Sequence, residues 1–160
     1  MLHIIYNIYT ILLMQITKFT DLGLRVLMYL SQEVNGSVVT IHEIAQQFNV
    51  PRNHLIKVVT RLNKLNWIST TRGRTGGLKL GANANQLKLG NILKELESKT
   101  SLINCDDPPC ALNGRCNLKE ILDHGLNKFY EEMNQYTLQN IVDKKTQLAV
   151  IELHQRYALG

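Results

Sequence analysis

Cysteine is missing from this chain except in one stretch. All three cysteines fall within NCDDPPCALNGRC, from Asn104 to Cys116. An odd number of thiols cannot all pair with one another, so at least one stays over, and disulfides are not expected to be the basis of the fold. Acidic side chains are missing over a longer stretch, from Glu43 to Glu95, where no Asp or Glu occurs. No internal repeat or low-complexity segment is present. Long apolar runs are also scarce. The opening MLHIIYNIYTILL comes nearest, but it falls short of the ~20 residues a membrane-crossing helix needs. It also lacks the basic start and small-residue cleavage site of an export signal. These features point to a start at Met14, with residues 1–13 as a start-site artefact; a peripheral anchor is the alternative. No membrane role is expected. The expected compartment is the cytoplasm, where thiols stay reduced.

The chain has 160 residues, 44% hydrophobic and 19% charged, with a formal charge of +5. That length suits one domain or a small domain with an appendage, and it supports a core without covalent staples. The charge is unevenly placed. Arg52, Lys57, Arg61, Lys64, Arg72, Arg74, Lys79, Lys88 and Lys94 all lie in the acid-free stretch, leaving the rest of the chain slightly negative. A one-signed block inside a periodic segment points to a polyanionic partner rather than to an ordinary solvated face.

The periodicity predicts mainly helix. In KFTDLGLRVLMYL, Leu22, Val26, Leu27 and Leu30 form one stripe, with Thr20 or Asp21 as the cap. Asn35-Gly36 reads as the turn that follows. Thr40 and Glu43 have capping-box spacing, opening a short helix with Ile41, Ile44, Ala45 and Phe48 inward. Asn49-Val50 makes a tight turn, and Pro51 starts a second helix where its missing N–H costs nothing. That helix is expected to bury Leu55, Ile56, Val59 and Leu62. Its leading end carries Arg52, Asn53 and His54, and its outer face Asn53, Lys57, Arg61 and Lys64. Two short helices across a tight turn, the second basic outside, form a helix-turn-helix pattern. WISTTRGRTGGLKLG reads as a β-hairpin wing, with Arg72 and Arg74 at a glycine-rich tip able to reach phosphate or the minor groove. A helix over GNILKELES buries Ile92, Leu93 and Leu96. Beyond the cysteines, Leu118, Leu122, Leu126, Phe129, Met133 and Tyr136 recur at close to the 3.5-residue spacing of paired helices, which marks a long dimerisation helix. The last twenty residues carry no clear pattern.

The C-x4-C-x5-C spacing leaves more than one chemistry open. A catalytic thiol needs one cysteine beside a base, not three in a loop. Structural zinc usually takes closer pairs and four ligands. Wide gaps on a loop stiffened by Pro108-Pro109 suit the bulk of an iron–sulfur cluster, but the spacing does not separate cluster from zinc. Asp106, Asp107 and His124 are local candidates for a fourth ligand.

MQITKFTDLGLRVLMYL, PRNHLIKVV, RGRTGGLKLG and NCDDPPCALNGRC together resemble the nitric-oxide-sensing NsrR group of the winged-helix family that also contains the iron–sulfur regulator IscR. The resemblance runs from Met14 to Val142. It implies a homodimeric repressor of nitrosative-stress genes, not an enzyme, that binds double-stranded promoter DNA. It also implies an iron–sulfur cluster, 2Fe–2S or 4Fe–4S, on Cys105, Cys110 and Cys116, with nitric oxide as the releasing signal. In the NsrR group a first-helix aspartate of the other subunit can serve as fourth ligand, and Asp21 holds that position here. The IscR-type histidine, three residues after the last cysteine, is replaced by Lys119. Residues 14–85 are then a winged helix-turn-helix domain, with the helix-turn-helix over 41–64 and the wing over 67–81. Residues 86–142 hold the cluster loop and dimerisation helix, and 143–160 a C-terminal tail. The rivals are a winged-helix regulator sensing iron or cluster supply, and one merely stabilised by zinc.

Overall fold

Threonine sets the starts of the first two helices. In the computed structural model, which describes residues 15–32, 38–71, 73, 76–98 and 101–159, α1 spans Lys18–Leu30. Its cap is Thr17, whose hydroxyl accepts from the Thr20 amide at 3.2 Å, so the boundary lies earlier than the sequence suggests. Thr20 cannot be the cap because it is fully buried in the first turn, its hydroxyl 3.0 Å from that of Thr17. The expected stripe of Leu22, Val26, Leu27 and Leu30 is buried, together with Tyr29. The expected Asn35-Gly36 turn and residues 1–13 lie outside the described residues.

Helix α2 spans Ile41–Gln47 and closes the expected capping box: Glu43 N donates to Thr40 Oγ1 at 3.1 Å, and Thr40 N donates to Glu43 Oε2 at 3.3 Å. The chain then turns through Asn49, in the left-handed region at φ 48°, while Val50 N donates to the Ala45 carbonyl at 3.0 Å. Asparagine tolerates this conformation better than most residues. Pro51 is the cap of α3, Arg52–Lys64. One expectation fails here. Val58, not Ile56, joins Leu55, Val59 and Leu62 in the core, and Ile56 is 42% exposed. Residues 55, 58, 59 and 62 follow the three-and-four spacing of one helical face, and 56 falls a step beyond it.

Strands β1 (Ile68–Thr70) and β2 (Leu78–Leu80) pair antiparallel, with Ile68 opposite Leu80 and Thr70 opposite Leu78. The hairpin is tied back to the start of α2 through a bridge between Leu78 and Val39. That approach requires glycine at 77: a Cβ there would overlap Val38 Cγ1 and stand 2.6 Å from the Val39 carbonyl.

Helix α4, Leu89–Glu97, buries the expected Ile92, Leu93 and Leu96. Its Gly90 lets α5, Asn117–Met133, come close, since a Cβ at 90 would collide with the Tyr130 carbonyl. Helix α5 is shorter than the seam suggests. It stops at Asn134, whose side-chain oxygen accepts from Asn91 N at 2.9 Å, and Tyr136 therefore lies beyond it. A short α6, Leu138–Ile141, follows, with a capping box of its own between Thr137 and Asn140. The patternless C-terminal segment forms α7, Lys144–Leu159, which buries Val150 and His154. One hydrophobic core runs from Leu22 on α1, through Leu55 and Leu62 on α3 and Ile92 on α4, to Leu138 and Val150. Among the described residues no helix is long and apolar enough to cross a membrane.

Candidate nucleic-acid interface and cysteine loop

Helix α3 separates its two faces cleanly. With Leu55, Val58, Val59 and Leu62 fixing the inner face, Arg52, Asn53, His54, Lys57, Asn63 and Lys64 are exposed on the outer one. Its first turn carries no acidic residue and its last turn carries Arg61 and Lys64. Arg61 is the exception among the expected residues. Its guanidinium pairs with the Glu95 carboxylate of α4 at 2.8 Å and also donates to the Glu95 carbonyl at 3.3 Å. Both side chains are partly exposed, so the pair is screened and contributes little to stability. It nonetheless turns Arg61 toward α4.

Between α3 and the wing lies a groove of about 610 Å³, with Arg52, Ile56, Thr60 and Asn63 on one wall and Thr70, Thr71 and Gly76 on the other. Sequence reasoning assigned Ile56 to the core and passed over Thr60 and Asn63 in favour of charge. Their signal was their place on the helix, one step beyond the buried stripe. The wing closes through Thr71 N donating to the Gly77 carbonyl at 2.9 Å and Gly76 N to the Gly73 carbonyl at 3.0 Å, with Gly73 at φ 112°. Arg72 and Arg74 lie outside the described residues.

The cysteine loop leaves α4 through Ser98, in the left-handed region at φ 53°, and ends at Cys116, the cap residue of α5. It is held by its own backbone: Cys110 N donates to the Cys105 carbonyl, Asn113 N to that of Cys110 and Arg115 N to that of Leu112, each at 3.0 Å. Asn113 also donates from its side chain to Asp106 at 3.0 Å. All three cysteines are unpaired; Cys105 is buried, Cys116 half-buried and Cys110 exposed. Burial, then the neighbouring Cys110, pushes the Cys105 thiol up, while Lys119 acts in the opposite sense. Lys119 reaches back from the first turns of α5 to Ser101 Oγ at 3.2 Å and pairs with Asp123 at 2.5 Å, joining the start of the loop to the helix.

Among the described residues, no group of three or more His, Cys, Asp or Glu side chains is arranged to hold a metal ion. The chemistry of the donor set still suits a thiolate-bound group. Three free sulfurs share one loop, and Cys116 makes no side-chain cap, which leaves the amide-rich start of α5 facing any negative charge there. Of the candidate fourth ligands, Asp106 and Asp107 are exposed on the loop. His124 is exposed farther along α5, on a polar cleft with Asn91 and Lys94 of α4.

Asp21 lies on α1, paired with Arg25 at 2.8 Å. It borders a cavity of about 630 Å³ between α1 and the start of α3, with Phe19, Leu22 and Val50 as apolar lining and Lys18, Arg25 and Lys57 as cations. Helix α5, for its part, buries only Tyr130, a residue outside the expected seam. Leu118 and Ile121 are 59% and 67% exposed, and Phe129 is exposed as well.

A family model described as Rrf2, iron-dependent transcriptional regulator, matches residues 16–144. Among solved structures, the chain is similar to CymR (YrzC), the global cysteine regulator of B. subtilis. The identity is 22%, over 79% of this chain and 95% of that one, with a TM-score of 0.63. The oxidised form of Staphylococcus aureus CymR matches at 21% identity, over 81% and 97% of the two chains, with a TM-score of 0.62. IscR of T. potens matches at 17%, over 84% and 90%, with a TM-score of 0.64. These likenesses establish the winged-helix fold.

Proposed function

The chain belongs to the Rrf2 family of transcriptional regulators, and from that premise we propose that it is a homodimeric repressor whose hold on promoter DNA depends on an iron–sulfur cluster and is released by nitric oxide. Members of this family are regulators rather than enzymes, bind promoter DNA and are typically dimeric. The observation that carries the reading is the position of the chain's three unpaired cysteines: one loop, running from the helix packed on the DNA-binding core to the helix left uncovered.

Each residue has a stated part. Lys57 and Lys64 meet phosphate, Arg52 meets phosphate at the start of α3, and Asn53 and His54 lie where base edges come within reach. Arg61 contributes only after leaving Glu95. Arg72 and Arg74 extend the contact from the wing. Leu118, Ile121, Leu122, Leu126 and Phe129 cover one another across a two-fold axis. Cys105, Cys110 and Cys116 would hold the cluster, 2Fe–2S or 4Fe–4S, with the partner subunit's Asp21 as fourth ligand. When bound, it would supply iron sites open to nitric oxide. Complementary surfaces support ligation across subunits. The loop carries Asp106 and Asp107 beside exposed Leu102 and Leu112, and the Asp21 cavity is apolar with cations around it. One subunit's loop would then fix the angle of the other's recognition helix, a two-state element that ligand loss could release.

The family's description as iron-dependent favours a second reading, a sensor of iron or cluster supply. The visible spectrum of anaerobically purified protein tests the shared premise, because a zinc protein would be colourless. Comparing nitric oxide with iron starvation as the trigger that frees operator DNA then separates the two sensors.

A further inference from the structure

Helix α3 carries a large apolar side chain that the core does not use. Leu55, Val58, Val59 and Leu62 face inward, while Ile56 is 42% exposed. A single isoleucine on a surface needs no explanation by itself. This one has a companion. Thr60 lies one turn on and is also exposed, and its hydroxyl donates to the Ile56 carbonyl at 2.7 Å. A threonine hydroxyl has one hydrogen, so with that bond made Thr60 offers a partner no donor, only a methyl and lone pairs. Ile56 and Thr60 thus form a methyl-bearing strip on the flank of α3 that faces the wing, with Thr70 and Thr71 on the opposite wall of the groove.

The surroundings say what such a strip meets. Arg52 lines the same groove, Lys57 and Lys64 are exposed beside it, and no carboxylate is among the described lining residues. A small apolar strip set among cations matches a polyanion that carries isolated apolar groups. Duplex DNA is such a surface, because the 5-methyl of thymine projects into a major groove bordered by phosphates. Hydrogen-bond readout of guanine O6 and N7 needs a donor. Ile56 has none and Thr60 has committed its own, so apolar contact is the readout left to this pair.

We propose that Ile56 and Thr60 are specificity-determining residues that read thymine through its 5-methyl group, while the neighbouring lysines hold the phosphates. This inference rests on the DNA-binding reading above and deepens it. Charge supplies the hold on any duplex, and two neutral side chains select A·T pairs at fixed positions. Four residues of helix rise about 6 Å and successive bases of a strand about 3.4 Å, so the thymines concerned lie within about three base steps of one another.

The test starts from the duplex that anaerobically purified full-length protein selects out of random double-stranded DNA. Its thymines are replaced one at a time by deoxyuridine, which removes the 5-methyl and keeps the pairing edge, and affinity is measured at fixed salt. Native binding should weaken about fourfold at each of two neighbouring thymines, the transfer value of one methyl-sized group. Ile56→Ala should lose the sensitivity at one of them and keep the native salt slope, since no phosphate contact is removed. Thr60→Val keeps a methyl and drops the hydroxyl, and should stay sensitive at the other; Thr60→Ser does the reverse and should not. Both side chains are exposed, so all three variants should keep native helical content. Selective binding with no uracil-sensitive thymine would overturn the methyl readout and leave the DNA-binding reading standing. So would sensitivity that survives in both Ile56→Ala and Thr60→Ser. Sensitivity lost in Thr60→Val but kept in Thr60→Ser would make the hydroxyl the reader and overturn the part given to Thr60. A protein that binds no duplex would overturn both readings.

Discussion

The helix-turn-helix and the cysteine-loop half of this molecule are built to different degrees of completion. In the first, Val26, Leu27, Ile44, Leu55 and Leu62 are wholly buried, and α2 has its capping box closed. In the second, α5 covers one residue, Leu118 and Ile121 face outward, and three thiols have no partner. A chain that seals one half and leaves the other open needs further components only at the second. On the account above, those are a second copy and a thiolate-bound cofactor. Folding and DNA contact are then local properties of the first half, and control is a property of the assembled second.

The largest expected contrast is in stability. Leu62→Ala removes a fully enclosed side chain and should cost about 2–5 kcal/mol in urea unfolding. Leu118→Ala should change the unfolding of dilute monomer by less than about 0.5 kcal/mol, because its side chain touches mostly solvent there. Equal costs would mean that α5 is packed within its own chain after all. Next in size is association. Ile121→Glu should weaken self-association at least about a hundredfold in sedimentation equilibrium, since a carboxylate would be desolvated without a partner. An unchanged dimer would remove the α5 seam from the interface.

Smaller effects sharpen the DNA-binding half. Lys57→Ala should weaken binding on every sequence and reduce the salt slope by about 0.9, as one phosphate contact is lost. Arg61→Ala should change that slope less, because the guanidinium is already held by Glu95. Equal slopes would show that Arg61 leaves α4 on binding. Asn53→Ala should relax preference at particular bases by about 1–3 kcal/mol. Unchanged specificity would take it out of the readout set.

The same division explains what the sequence made legible. Helices α1, α2 and α4, the hairpin and the tight turn at Asn49 follow from periodicity, a capping box and turn residues, all local signals. Ile56 and Val58 exchanged places because two β-branched residues two apart look alike until the helical phase is fixed by Leu55 and Leu62. The end of α5 was overrun because Asn134 stops it through a contact with Asn91, 43 residues away. Helix α7 gave no apolar stripe because its buried face is Val150 and a histidine. That histidine stacks on Tyr29 and stands beside Glu43, contacts beyond the reach of any local pattern. The cysteine spacing marked one loop as a set of soft donors, but spacing alone did not separate cluster from zinc. Asp21 reads as an ordinary helix-start acid paired with Arg25 until a second subunit is considered.

The central claim is that the unfinished half controls the finished one, and operator affinity in the cysteine variants tests it most directly. Cys105→Ala, Cys110→Ala and Cys116→Ala should each keep near-native helical content, because the core does not depend on the loop. Each should bind operator at least about tenfold more weakly than anaerobic native protein, a loss of about 1.4 kcal/mol, and none should respond to nitric oxide. Residual salt-sensitive binding should survive through α3 and the wing. Variants that bind operator as tightly as the native protein, and are still released by nitric oxide, would contradict the account.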